Sequence, residues 1–249
     1  MKLSVITVVY NNDKTISEAI NSVLSQNYDE IEYIIIDGAS RDNTLTIIKE
    51  YQSRISKFVS EPDTGLYDAM NKGVRLATGD VIGILNSDDI YQDRNVISDI
   101  MYQFNSDEKV DLVYGDLVYV KQDDTNKIVR NWRSNKYYPN FFEDGNVPPH
   151  PSLFVKTEVY KESGLFNLDF KLAADYEFML RIFKKHSFKS KYINRIIIRM
   201  RLGGATNQSF RNIWRQNVEI LRAWNTNELR VPFLLMPLRL FKRIIQFIY

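Results

Sequence analysis

The run Asp80-Val-Ile-Gly-Ile-Leu-Asn-Ser-Asp-Asp89 restricts the fold more than any other stretch of this 249-residue chain. Residues 81–85 carry almost no polar side chain, and a strand of that kind is buried on both faces of a helix-covered sheet. Its end delivers Asp88 and Asp89 to the carboxyl edge of the sheet, where open α/β sheets bind ligands. Adjacent carboxylates repel and need a cation or hydrogen-bond donors nearby. A hard divalent metal that also meets phosphate oxygens fits that need. A solvated loop or a helix cap is the other use of two such acids.

The surrounding pattern is βαβαβ. Leu3–Val9 reads as a β-branched strand, and Asn12 or Asp13 can cap a helix in which Ile16, Ala19, Ile20, Val23 and Leu24 recur at helical spacing. Residues 33–36 form a second buried strand that ends at Asp37-Gly38. A helix near 43–52, a short strand around Phe58, a helix over 66–77 and the strand at 81–85 follow. This order predicts an α/β class, a mostly parallel Rossmann-like sheet with helices on both faces.

Beyond about residue 105 the pattern becomes mixed. It holds a hairpin of residues 112–120 and 127–132, an irregular stretch at 134–151, a strand at 152–156 and a helix over 157–163. A helix over 175–185 starts with two acids, where the macrodipole favours them. A strand at 193–201 and a helix over 210–224 complete the region. The expected domain is residues 1–221: a nucleotide-binding half over about 1–105 and a smaller acceptor-side half over about 106–221. A C-terminal helical tail covers 222–249.

The tail carries five basic residues against the single acid Glu228, among many apolar residues, with Pro232 and Pro237 interrupting it. Basic residues break the apolar run short of the ~18 needed to span a bilayer. A basic amphipathic tail predicts peripheral contact with the inner face of the cell membrane. A last helix packed on the domain, or an oligomer contact, is the alternative. The formal net charge of +2 lacks a nucleic-acid footprint, so no nucleic-acid partner is expected. There is no cysteine, hence no disulfide and no thiolate metal site. The N-terminus runs straight into a strand pattern with no signal peptide, so the expected location is cytoplasmic.

The loop after the first strand, Tyr10-Asn-Asn-Asp-Lys-Thr15, contains no glycine, which argues against a dinucleotide pyrophosphate site. No P-loop is present either. An acid after the second strand (Asp37) can still accept hydrogen bonds from a base or ribose. Asp88 and Asp89 can hold ribose and a metal, a set suited to a nucleoside diphosphate.

Four segments carry a family resemblance: Ser4-Val-Ile-Thr-Val-Val-Tyr-Asn11, Asp37-Gly-Ala-Ser-Arg-Asp-Asn-Thr44, Glu61-Pro-Asp-Thr-Gly-Leu-Tyr-Asp-Ala-Met-Asn-Lys-Gly73 and Asn86-Ser-Asp-Asp89. In order and spacing they resemble glycosyltransferase family 2, in a subgroup similar to bacterial surface-polysaccharide enzymes, over roughly residues 3–205. The resemblance implies a GT-A fold and an inverting transfer. It implies a divalent metal (Mn or Mg), a nucleotide-sugar donor, most often a UDP-sugar, and a glycan or lipid-linked oligosaccharide acceptor.

Carried over residue by residue, Tyr10 and Asp37 resemble the walls of the base pocket. Asp88 resembles the ribose or metal contact and Asp89 the acid that coordinates the divalent ion on the diphosphate. Asp175 sits where the family places its general base, with Glu177 as the rival; only one of the two can face the site from a helix. Each has a plainer reading: Tyr10 as a cover for the sheet edge, Asp37 as a turn acid, Asp175 as a helix cap. Many relatives read Ala-Arg-Asn-x-Gly where this chain has Ala69-Met-Asn-Lys-Gly73, so Asn71 and Lys72 stand for the nucleotide side, Lys72 supplying the missing charge unless it is merely a solvated helix lysine. His150, in Pro148-Pro-His-Pro-Ser-Leu-Phe154, lies where the family has an acceptor-side loop, or is structural. Arg199-Met-Arg-Leu-Gly-Gly-Ala-Thr206 resembles a mobile loop near the donor from which Arg201 reaches the diphosphate.

These readings converge on a metal-dependent inverting sugar transferase of the hexosyl or N-acetylhexosaminyl type, in surface-polysaccharide synthesis. A non-catalytic assembly or binding subunit that kept the fold is the alternative, and the intact acids disfavour it. A nucleotidyltransferase needs a glycine-rich basic loop near the first strand, which is missing.

Overall fold

The computed structural model describes residues 1–203 and 210–246. Nine strands form one sheet among them. Its first half is wholly parallel: β3 (Lys57–Ser60), β2 (Ile31–Asp37), β1 (Leu3–Val9) and β4 (Val81–Asn86) lie side by side in that order. Every residue of β1 is buried, as the unbroken β-branched run requires. Helix α1 (Ile16–Leu24) packs Ile16, Ile20 and Val23 on one face of the sheet with Leu3 and Val5. Helix α3 (Leu66–Leu76) packs Met70 and Val74 on the other, with Ile6 and Val8. The alternation of faces along β1 thus decides which helix lies above and which below. Helix α2 (Thr44–Glu50) joins β2 to β3.

The second half is mixed. Strand β8 (Phe154–Lys156) runs antiparallel to β4, and the sheet continues through β6 (Leu112–Val120), β9 (Ser190–Arg201) and β5 (Ile90–Tyr91). Strand β7 (Ile128–Trp132) forms the expected hairpin with β6. The strand expected at 152–156 is shorter because His150–Ser152 is a 3-10 turn, pinned by the Ser152 hydroxyl donating to the Gly115 carbonyl at 2.7 Å. Residues 199–201 belong to β9 and not to a loop, since β9 stays paired in parallel with β6 from Leu117–Ile198 to Val120–Arg201, after register shifts between Tyr114 and Leu117. Residues 204–206 of the expected loop lie outside the described residues.

Four further helices belong to the second half: α4 (Val96–Ser106), α5 (Thr157–Ser163), α6 (Ala174–Leu180) and α7 (Phe210–Thr226). The helix expected over 175–185 is α6 followed by a π turn, Arg181–Lys185. The Arg181 side chain is tied there to Glu177 and to the carbonyls of Ser163 and Leu165. Helix α7 runs through residue 221, so the expected boundary falls inside a helix. Helix α8 (Leu235–Ile245) folds back across the domain, where the Asn131 amide donates to the Gln246 carbonyl at 3.2 Å. Gly145, at φ 77°, makes room for it: a Cβ there lies 2.7 Å from the Arg239 amide nitrogen. No helix among the described residues is long and apolar enough to cross a membrane.

Candidate active site

The loops that leave the carboxyl ends of β1, β2 and β4 are knitted into one surface. Asn11, at φ 47°, donates its amide to the Ser40 hydroxyl and accepts from the Arg41 amide. Asn12 reaches the Ser87 hydroxyl at 2.9 Å, and the Thr15 hydroxyl donates to the Ser87 carbonyl at 2.9 Å. Helix α1 therefore starts after Thr15, whose hydroxyl bonds Asn12, and the Asn12 amide side chain serves the loops instead of capping the helix.

On this surface Tyr10 is 62 % exposed, while Asp37 is fully buried. Asp37 Oδ2 accepts from the Ser40 amide and the Ser60 hydroxyl, whereas Oδ1 is buried with no partner among the described residues. Gly38 keeps the gap beside Tyr10 open: a Cβ there lies 2.5 Å from Asp63 Oδ2 and 3.4 Å from the Tyr10 ring.

At the end of β4, Asp89 is fully buried and Asp88 half-buried. The Asn86 side-chain amide donates to Asp89 Oδ2 at 3.0 Å, but Asp89 Oδ1 and Asn86 Oδ1 are both buried without a donor among the described residues. Burial raises Asp88, and burial together with the neighbouring Asp88 carboxylate raises Asp89 well above the carboxylate range. Two unsatisfied buried oxygens beside an acid pair suit a hard divalent cation. No group of three or more acidic, histidine or cysteine side chains placed to hold a metal ion by themselves is found among the described residues. Arg201 is buried between these parts. It pairs with Glu18 at 2.7 Å and donates to the Asp88 carbonyl at 2.8 Å, which positions the acid-bearing turn.

Asn86 and Arg201 also line a cavity of about 920 Å³. Asp175 stands in it, at the first turn of α6, and accepts a 3.0 Å hydrogen bond from the Tyr67 hydroxyl. Burial and the Asp175 carboxylate push Tyr67 up, so the phenol keeps its proton and remains the donor. Glu177 is buried elsewhere: it pairs with Arg181 at 2.9 Å and accepts from Asn227. Of the two rival acids, only Asp175 faces the cavity. The turn ahead of α6 is held by Glu219 on α7, whose carboxylate accepts the amides of Lys171, Leu172 and Ala173.

His150 lines the same cavity, with its ring edge-on to Phe166 at 5.5 Å. Burial lowers its pKa, against the pull of Asp175, so the ring is neutral. Asn71 and Lys72 are not brought to this site. The Asn71 amide bonds both backbone groups of Phe166, and Lys72 pairs with Glu61 at 2.9 Å and donates to the Pro62 carbonyl. Each holds a loop against α3.

The family model described as Glycosyl transferase family 2 matches residues 4–161, more than half of the chain. The chain belongs to glycosyl transferase family 2. It is similar to an uncharacterised glycosyltransferase of Mycobacterium tuberculosis, 30 % identical over 184 residues, 72 % of this chain and 68 % of that protein. A PGL/p-HBAD biosynthesis glycosyltransferase of Mycobacterium bovis is 26 % identical over 197 residues, 78 % of this chain and 74 % of the relative. Among solved structures, residues 1–349 of S. aureus TarS in complex with UDP-GlcNAc share the fold at a TM-score of 0.70 and 17 % identity, over 98 % of this chain and 73 % of that TarS fragment. A mannosyltransferase of Pyrobaculum calidifontis, in complex with GDP-Man and Mn2+, shares it at 0.67 and 17 %, over 98 % and 70 %. The expected GT-A architecture holds, and the reaction class is glycosyl transfer.

For a family 2 transferase, the sequence reading passed over three side chains that shape this site. Tyr67 lies inside the quoted 61–73 motif, but nothing in that motif marks its hydroxyl as a partner of Asp175, 108 residues away. Glu219 and Arg239 sit in helices with no motif, and nothing in their local sequence marks them.

Proposed function

We propose that this family 2 enzyme is inverting and metal-assisted, and moves a sugar from a nucleotide-sugar, foremost a UDP-sugar, to a hydroxyl of a glycan or lipid-linked acceptor. The observation that carries this reading is that Asn86, whose side-chain amide holds Asp89, lines the same cavity as Asp175. Tyr10 and Asp37 receive the base: an exposed ring offers a stacking face, and the unpartnered Asp37 oxygen accepts an N–H. Asp88 takes the ribose. Asp89 holds the divalent ion, which when bound neutralises charge developing on the departing diphosphate.

Asp175 is the general base. It accepts the proton of the acceptor hydroxyl, and the resulting oxygen displaces the nucleoside diphosphate in one step that inverts the anomeric centre. Tyr67 fixes the carboxylate from one side while leaving the other oxygen for the acceptor. His150, neutral, stands on the acceptor side. Protonated Asp88 and Asp89 cannot hold a cation, so metal affinity falls as pH drops.

The tail gives the acceptor side a membrane-facing edge. Phe233 is 97 % exposed, and Phe241 and Ile244 lie half outside, beside Lys242 and Arg243. An apolar edge among cations suits the interface of an anionic bilayer, on the cytoplasmic side.

The deciding experiment is protection of the chain from thermal unfolding by UDP, GDP, CDP and dTDP, each with and without manganese. Protection by one diphosphate that needs the metal and vanishes in Asp89→Ala supports the reading, through mass action on the folded state. No shift with any diphosphate at millimolar concentration removes it.

A further inference from the structure

Helix α6 carries Asp175 as its second residue but brings no cap of its own. The position before the helix is Ala173, whose methyl group cannot accept an amide of the first turn. The Asp175 carboxylate is engaged by the Tyr67 hydroxyl instead. The entry to α6 is held by Glu219 of α7, 46 residues beyond Ala173. Glu219 Oε1 accepts the Lys171 amide at 3.0 Å, and Oε2 accepts the Leu172 and Ala173 amides at 2.8 and 2.9 Å. Gln216, one turn earlier on α7, donates to the Leu172 carbonyl at 3.3 Å.

The other side of Asp175 is gripped from the same direction. Trp224 Nε1 donates to the Tyr176 hydroxyl at 3.0 Å, and Asn227, directly after α7, donates to Glu177 Oε1 at 3.1 Å. Asp175 therefore lies between two stretches that α7 fixes. Ile213, Gln216, Asn217 and Ile220 of α7 line the Asp175 cavity as well, so its wall and its carboxylate form one unit. Bonds from amides to an ionised carboxylate are about twice as strong as neutral ones, and three of them converge on Glu219. Its charge also reaches the site: burial and Asp175 push the Tyr67 phenol up, and Glu219 adds to that push.

We propose that Glu219 is a positioning residue for the transfer step, holding Asp175 at a fixed distance from the α7 wall of the cavity. This deepens the transferase reading above and rests on it. An acceptor that lies against α7 then meets the base in one geometry, because both are referred to the same helix. A misplacement of about 1 Å at the reacting atoms costs on the order of 100-fold in rate, so the turn at 171–173 governs turnover without touching substrate. The donor side is independent of this clamp, since Asp37, Asp88 and Asp89 are carried by the ends of β2 and β4.

The test compares Glu219→Ala and Glu219→Gln with wild type, as full chains, in transfer from the nucleotide-sugar identified by thermal protection. Glu219→Ala lowers kcat about tenfold or more, while KM for the donor and protection by its nucleoside diphosphate with manganese stay at the wild-type level. Glu219→Gln keeps one oxygen, enough for the Leu172 and Ala173 amides, and recovers part of the rate. Amide hydrogen exchange at 171–173 speeds up about tenfold or more in Glu219→Ala and is unchanged in the parallel half of the sheet. Unchanged exchange at 171–173 overturns the proposal. Loss of diphosphate protection in both variants also overturns it, because Glu219 then serves the fold as a whole. Variants as active as an active wild type remove the role of Glu219 alone, whereas a wild type that transfers no sugar removes the transferase reading and this role with it.

Discussion

Replacing Tyr67 by phenylalanine removes one oxygen and tests the hydrogen bond that orients the proposed base. The ring is buried and packs 5.8 Å from Phe166, so phenylalanine keeps that packing and the domain stays folded. What is lost is a 3.0 Å bond from a neutral donor to a carboxylate. Such a bond contributes about 1.5–3 kcal/mol. If the orientation it enforces is needed only as the acceptor loses its proton, kcat/KM falls roughly 10- to 150-fold, while KM for the donor does not change.

A second signature separates positioning from simple structural damage. A phenol that acts only on the carboxylate lowers kcat/KM when it is removed, while Tm and thermal protection by the nucleoside diphosphate stay at the wild-type level. The assay is steady-state transfer from the nucleotide-sugar identified by thermal protection, followed by release of nucleoside diphosphate. Wild-type kcat/KM in Tyr67→Phe refutes the reasoning. A loss of kcat/KM together with a lowered Tm also refutes it, by showing that the phenol is structural.

Two further outcomes follow from other parts of the molecule. Glu32 is buried at the amino edge of the sheet, where burial works against its charge. Ser4, Lys57 and Thr78 nevertheless hold its carboxyl far below the ordinary range. Glu32→Gln is expected to cost roughly 2–4 kcal/mol of stability at pH 7 in denaturant unfolding. A depressed folded-state pKa stabilises above the unfolded value near 4.5 and loses that contribution as pH falls, so the gap between variant and wild type narrows below about pH 4; a gap that is constant with pH contradicts the assignment. On the outer face of α8, Phe241→Ser with Ile244→Ser is expected to reduce flotation with anionic phosphatidylglycerol vesicles about tenfold or more, since two half-exposed apolar side chains lose their lipid contact. Equal flotation of variant and wild type, or no flotation of wild type, rejects the membrane-facing edge.

The parts legible in the sequence are those whose cause is local. The parallel half of the sheet follows from runs such as residues 3–9 and 81–85, where side-chain type alone demands burial on both faces. The helices between them follow from periodicity, and four short motifs name the family. Within the site, Asp37 and the acid pair after β4 lie where a strand must end, so the sheet edge brings them together. Asn71 was misplaced for a physical reason: from within the motif, its role in bonding the Phe166 backbone, 95 residues away, leaves no trace.

Sequence by itself therefore determined the fold class, the family and the sheet edge that carries Tyr10, Asp37 and the acid pair, because strand ends and loop motifs are set by residues within a few positions of each other. Only the tertiary structure decided between Asp175 and Glu177. Helical spacing says that they face different ways, but the contacts of Tyr67 with Asp175 and of Arg181 with Glu177 say which way is inward. The tail was settled at the same level. Its charge and hydropathy are equally compatible with cations in water or in a cavity. The direction its helix faces is decided by Gly145, Leu235 and Gln246 packing against the domain, which brings Arg239, Lys242 and Arg243 to the Asp175 cavity beside Met236 and Ile245 and leaves Phe241 and Ile244 exposed.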